Sequence, residues 1–159
     1  MAIALFLKVD GADGESKNSK HQNWVDLESF HWGANQPSSM HVGGGGGAGK
    51  VSFHDLTTVS HVDKSYPAML VNCASGKHIP KVQIAGAKAG GDEIEYFKIT
   101  LEDVIVTSVD VSGAHGAEVL VNYSFQAAKV KSEYSVQTDK GGKGATSEFG
   151  WDIKQNVKA

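Results

Sequence analysis

Residues 119–137 read VLVNYSFQAAKVKSEYSVQ, and the fold follows from this stretch. Val119, Val121, Tyr123 and Phe125 recur at every second position, with Asn122, Ser124 and Gln126 between them. A period of two sends the first set to one face of a β-strand and the second set to the other. Near Ala128 the phase flips. Val130, Tyr134 and Val136 then form the apolar set, opposite Lys129, Lys131, Glu133 and Gln137. Both halves keep one wet face, as antiparallel sheets do.

The flanking segments carry the same period. In Glu93–Val111, Phe97, Ile99 and Leu101 share a face, and the apolar phase then moves to Val104 and Val106. That shift predicts a β-bulge or bend near Glu102–Asp103. Ile79–Lys88 reads as a strand interrupted by Gly86. Ile3–Val9 is a short apolar run that ends in a turn-rich, charged loop, Asp10–Lys20. Trp24–Trp32 alternates, with Val25, Leu27, Ser29 and His31 on one face and Trp24, Asp26, Glu28, Phe30 and Trp32 on the other. After a loop over 33–50, Val51–His61 reads as a strand with Val51, Phe53 and Asp55 opposite Ser52 and His54. A Gly-rich turn, Gly141–Gly144, precedes a last strand around Phe149–Ile153.

One segment breaks the period. Tyr66, Met69, Leu70 and Cys73 fall at i, i+3, i+4 and i+7, a helical stripe. Asp63 or Ser65 can cap its start, Pro67 suits its first turn and Gly76 its end, giving a helix over about 64–75. About eight strands and one helix, joined mostly by short turns, make a mainly β fold. The pattern is an antiparallel β-barrel or two-sheet sandwich with one flanking helix, in a single domain over 1–159.

Composition narrows the function. The chain has 159 residues, which suits one core. All 15 of its basic residues are Lys, and the formal charge is −3. The absence of Arg argues against nucleic acid and excludes arginine clamps on phosphate. A single Cys, Cys73, on the apolar stripe of the helix reads as a buried structural thiol. No stretch is long enough to cross a membrane as a helix, and Met1–Leu7 does not read as a secretory signal. The expectation is a protein that starts in the cytoplasm and, if exported, leaves through a machine that reads its folded form.

Candidate chemistry is sparse. Gly44-x4-Gly49-Lys50 matches most of a phosphate-binding loop, but Val51 replaces the Mg²⁺-ligating Ser or Thr and a strand follows where a helix is needed. The segment therefore reads as a flexible loop. Seven His residues are scattered, with no HxH or HExxH spacing. The pairs Asp92–Glu93 and Glu102–Asp103 put adjacent carboxylates on opposite faces and read as solvated charges. No nucleophile elbow is present. The reading is not an enzyme, with no cofactor and no metal. A small-ligand-binding β-barrel without a secretion role is the alternative.

The ordered motifs carry a resemblance. They are Gly14-Glu15-Ser16, His31-Trp32-Gly33, Gly43–Gly49 followed by Lys50-Val51-Ser52-Phe53, Asp63-Lys64, Pro67 and Gly76-Lys77-His78. Lys88-Ala89-Gly90-Gly91, Glu95-Tyr96, Ile99–Val104, Glu133-Tyr134 and Gly150-Trp151-Asp152 complete the set. Each alone is weak, but their order and spacing over residue 3 to the C-terminus are specific. The chain resembles the haemolysin-coregulated protein (Hcp) family, the tube protein of the bacterial type VI secretion system. Phe30-His31-Trp32-Gly33 stands where that family usually has Trp-Ser-Trp-Gly, and Ala85-Gly86-Ala87 where β-branched residues and an Arg are expected.

The resemblance implies a homohexameric ring that stacks into a tube inside a sheath, is fired with a spike protein and is secreted without a signal peptide. It also implies small effector proteins carried in the ring lumen, with no membrane insertion. His31 and Ser29 are the candidates for lumen and cargo contact. Gly14, Glu15 and Ser16, together with Gly43, Gly44, Gly45, Gly46, Gly47, Gly49 and Lys50, are the candidates for contacts within or between rings.

Overall fold

The computed structural model describes residues 2–38, 40–41, 49–89 and 93–159. Its strands are β1 (Ile3–Val9), β2 (Val25–His31), β3 (Ala34–Asn35), β4 (Ser52–Phe53), β5 (Leu56–His61), β6 (Ile79–Lys88), β7 (Ile94–Ser112), β8 (Leu120–Gln137), β9 (Lys143–Asp152) and β10 (Val157–Lys158). Among the described residues there is one helix, α1, spanning Tyr66–Ser75. Strands β1, β6, β7, β8, β5 and β2 pair antiparallel in that order, and β2 returns to β1, so the sheet closes into a barrel. Closure gives each of these strands a neighbour on both sides over at least part of its length. β9 and β10 extend the sheet beyond the barrel, and β3 and β4 form a separate two-stranded ribbon.

The long strands do two jobs. Residues 120–125 of β8 pair with β5 and residues 129–137 pair with β9, while β7 runs along the other edge of both halves. The phase flip lies where β8 passes from one partner to the other. In β7 the buried residues change from Ile99 and Leu101 to Val104 and Val106; in β8 they change from Val121, Tyr123 and Phe125 to Val130. Both flips fall at the same rung, between the pairs Glu102–Lys129 and Val104–Ala127, and the register does not slip there. The bend expected near Glu102–Asp103 is thus a single left-handed residue, Asp103 at φ +54°, rather than an inserted one. Asp tolerates this region better than most residues. The register shift in this pair sits farther on, between Val106 and Ser108, and leaves Thr107 free to donate its hydroxyl to Asp55 Oδ2 at 2.8 Å.

The core fills the barrel with Leu7, Val9, Val25, Leu56, Val82, Ile84, Ile99, Leu101, Val104, Val106, Val121, Tyr123 and Phe125. Two hydroxyls of β5, Thr58 and Ser60, also face inward, because β5 alternates as Leu56, Thr58, Ser60 inside and Thr57, Val59, His61 outside. The Tyr123 hydroxyl joins them as a buried group without a hydrogen bond. Burial pushes the Tyr123 phenol up to about 12, an effect that the nearby Ser65 hydroxyl partly offsets from outside hydrogen-bonding geometry.

The helix forms where the stripe placed it, lying against β7. Ser65 occupies the N-cap and Pro67 the first turn; Gly76, at φ +66°, ends the helix by donating its N–H to Asn72. Ser65 does not cap through its side chain; its hydroxyl and N–H both donate to Asp63 Oδ1. A ten-residue helix is too short to persist alone, so fully buried Met69 holds it down, a contact of about 2 kcal/mol. The buried stripe runs through Met69 and Asn72, and Leu70 is exposed. Cys73 is half-buried instead of fully inside.

Three other expectations change. Val51–His61 is not one strand: it breaks at His54–Asp55, because β4 belongs to the ribbon with β3, and the His54 N–H donates to the Gly33 carbonyl at 2.8 Å. Tyr134 and Val136 do not continue the buried set of Val130. They lie exposed on the extension, where buried Ser135 instead shares a 2.8 Å hydrogen bond with Thr146. Glu93 is not a solvated charge, since it folds onto His21 and Asn18.

Candidate functional site

The candidate residues occupy three places. Ser29 and His31 lie on β2, where the pairing with β5 shifts between Leu27 and Ser29. That bulge at Glu28 splits the strand. Val25 is buried before it, Phe30 turns inward after it to stack on Phe97 (5.7 Å between centroids), and Ser29 and His31 are exposed. The single face expected for Val25, Leu27, Ser29 and His31 is therefore corrected: the bulge separates the first two from the last two.

This outward face is four strands wide. Cross-strand pairing sets His31 beside Thr57, Thr57 beside Ser124 and Ser124 beside Ser108. The next row runs from Ser29 to Val59, Asn122 and Asp110. The two rows span β2, β5, β8 and β7 and carry hydroxyl, amide and imidazole groups with a single formal charge, Asp110. Short polar side chains of this kind present hydrogen-bonding groups at little entropic cost. The His31 ring lies parallel to His54, with centroids 6.0 Å apart, and the Thr57 hydroxyl reaches the His31 carbonyl at 3.4 Å.

Gly14, Glu15 and Ser16 form the second place. The Gly14 N–H donates to the Asn23 carbonyl at 2.8 Å, Ser16 N–H to Trp24 at 2.9 Å and Asn23 N–H to Ser16 at 2.9 Å, so this loop pairs with itself like a short hairpin. A Cβ on Gly14 would lie 2.6 Å from the Trp24 carbonyl oxygen. Glu15 accepts the N–H of Lys64 at 2.8 Å, and Ser16 is buried. Gly14 and Ser16 thus have work within the chain, which their motif alone did not reveal.

The third place is the base of the glycine run. Gly49 donates to the Pro37 carbonyl at 3.1 Å, Lys50 is exposed, and Gly43, Gly44, Gly45, Gly46 and Gly47 lie outside the described residues. Beside this base is a groove of about 580 Å³ lined by Trp32, Val51, Phe53, Phe149 and Trp151. Phe53 stacks on Trp32 at 5.8 Å, and Phe149 on Trp151 at 6.5 Å. Sequence reasoning missed this groove, because its aromatics come from segments far apart in the chain.

Asp103 lies between two basic side chains. His78 Nδ1 lies 2.7 Å and Lys154 Nζ 3.2 Å from its carboxylate. These hydrogen bonds, His78 first, hold the carboxyl below the usual aspartate range. Among the described residues, no group of three His, Cys, Asp or Glu side chains could hold a metal ion.

Residues 6–134 match a known family model, "Type VI secretion system effector, Hcp". The chain belongs to the Hcp family. It is 42% identical to Protein hcp1 of Pseudomonas aeruginosa over the whole of both chains. Hcp1 from Salmonella typhimurium shares 38% identity and superposes with a TM-score of 0.84, covering 100% of each chain. A structure titled as a type six secretion system protein matches at TM-score 0.93 and 26% identity, covering 99% of this chain and all of the other. As an Hcp protein, the chain is a structural component of the type VI secretion system, a role that needs no catalytic centre.

Proposed function

We propose that this Hcp chain closes into a homohexameric ring, that rings stack into the inner tube, and that the tube is exported with small effector proteins in its lumen. The observation that carries the reading is the pair of rows on β2, β5, β8 and β7 bearing Ser29 and His31, which are polar apart from Val59 and carry one formal charge. Such a face suits the wall of a water-filled channel that must hold diverse protein surfaces without trapping them by charge. Head-to-tail contacts between identical chains close into rings when the rotation allows it. The type VI sheath and spike proteins are the remaining partners. The protein is cytoplasmic before firing and reaches the extracellular space or a target cell afterwards.

In this reading Glu15, Lys50 and the run Gly43–Gly49 provide contacts between subunits or stacked rings. A Gly-rich contact costs entropy to order, so stacking of isolated rings is weak until the sheath confines them. Native mass tests the ring directly: a species six times 16.8 kDa is expected, and a monomer at all concentrations overturns it. Deleting Gly44–Gly47 leaves that mass unchanged and reduces tube growth seen by electron microscopy. Loss of the ring itself would make the glycine run an element of the ring and refute its stacking role.

A further inference from the structure

A histidine that the assembly reading leaves unused helps fasten the 10–24 loop to the barrel, beside the hydrogen bonds of Asn18 and Lys20 to Glu93 and of Lys64 to Glu15. His21 is 1% exposed, and its ring stacks on Phe6 of β1 with centroids 4.3 Å apart and planes 7° apart. The Trp24 ring meets it edge-on at 4.9 Å. Both ring nitrogens face oxygen. Nδ1 is 3.0 Å from Asn18 Oδ1 and 3.3 Å from Glu93 Oε1; Nε2 is 3.4 Å from Glu95 Oε2.

The orientation of the Asn18 amide is fixed independently. Its Oδ1 accepts the backbone N–H groups of Lys20 and His21, each at 3.1 Å, and its Nδ2 donates to Glu93 Oε2 at 2.7 Å. Nδ1 of His21 therefore meets an acceptor and must donate, while Nε2 faces a carboxylate and must donate as well. A neutral imidazole carries one N–H and can satisfy only one side; the imidazolium satisfies both. Glu93 Oε1 adds to the case, as a buried oxygen without a hydrogen bond of its own whose nearby compensation is the ring's positive charge.

We propose that His21 is a proton-operated clasp. As an imidazolium it ties the 10–24 loop to Glu93 and Glu95 at the start of β7, and loss of its proton frees the loop from the barrel wall. Burying the cation carries a desolvation penalty, which the two carboxylates offset. The other charged groups nearby are Lys20, whose Nζ donates to the Glu93 carbonyl, Lys98, 3.9 Å from Glu95, and Lys8, over Trp24 at 5.9 Å. β6 presents uncharged Ala85 opposite Phe6. The clasp is closed while the His21 ring carries both of its protons and opens when it loses one.

The test uses the full chain in its native assembly. Nitrogen-15 spectra of the His21 ring report its protonation state, and amide exchange at Asp10 and Lys64, whose N–H groups bond between the loop and the rest of the fold, corrected for intrinsic rates, reports loop opening. Both ring nitrogens should carry protons at the acid end of the folded range. Loop opening should then rise by up to tenfold per pH unit as one proton is lost, and His21→Gln, which cannot become charged, should give a flat profile. A neutral ring throughout the folded range overturns the proposal without any variant. Equal pH dependence in His21→Gln overturns it too. An imidazolium at every pH with unchanging protection refutes the release step.

Discussion

Replacing Gly14 with Ala tests whether the 10–24 loop is built as described. The new Cβ would sit 2.6 Å from the Trp24 carbonyl oxygen, 2.8 Å from its carbon and 2.8 Å from Val25 Cα. All three are backbone atoms, so no side chain can swing aside. The loop must move, which stretches the three hydrogen bonds that close it. Overpacking of this kind costs about 2 kcal/mol. Ala also restricts the unfolded chain, an effect of about 0.5 kcal/mol in the other direction. The net loss is about 1.5 kcal/mol, or roughly 3–6 °C in Tm for a domain of this size. Urea unfolding at fixed protein concentration should show a lower midpoint with an unchanged slope, since the surface exposed on unfolding is the same. Gly11→Ala is the contrast, because Gly11 has φ +83° with nothing within 4 Å of a Cβ, so its cost is conformational alone. A Gly14→Ala midpoint within about 0.5 kcal/mol of the parent would refute the steric reasoning.

Asp103→Asn keeps a residue that tolerates φ +54° and removes the charge shared by His78 and Lys154. Because that carboxyl is held low when folded, its stabilisation is present above the usual aspartate value and lost as pH falls through the folded one. The variant should therefore show a shallower loss of stability in acid urea titrations, and identical acid profiles would contradict this. Tyr123→Phe deletes a buried hydroxyl without a partner, so it should be neutral or stabilise by about 1 kcal/mol in thermal unfolding. A loss of that size would mean the hydroxyl is satisfied. His31→Glu places an anion on the polar face of β2 and should reduce co-purification of effector proteins with the ring while native mass is unchanged. Undiminished cargo would remove His31 from the lumen wall.

Period-two alternation makes the long strands legible, the helical stripe that breaks it makes the helix legible, and phase flips near Glu102–Asp103 and Ala128 mark where β7 and β8 turn. A phase flip says that a strand turns, not how. At Asp103 a left-handed residue does it in step with β8; at Glu28 a bulge does it in β2 alone. The second was invisible because Leu27, Ser29 and His31 keep a plausible alternation, and only Phe30 packing on Phe97 shows where the face turns over. His21 and Glu93 were hidden for a different reason. They lie 72 positions apart, in a charged loop and at a strand start, and no local period reports a pair formed by tertiary packing.

The two ways of turning a strand have different consequences for assembly. At the Asp103 corner β7 and β8 turn together, which keeps their ladder intact and lets the extension with β9 stand out from the barrel as a continuous sheet. At Glu28 only β2 shifts, and the shift rotates Ser29 and His31 into rows with Thr57, Ser124, Ser108 and with Val59, Asn122, Asp110. Without the bulge residue's extra step, the alternation that buries Val25 would carry His31 into the core and Phe30 into water. A buried imidazole without partners and an exposed phenyl ring would both be costly. The β2 part of the polar wall proposed for the lumen is thus a product of one inserted residue, and the same insertion gives the barrel the Phe30–Phe97 contact.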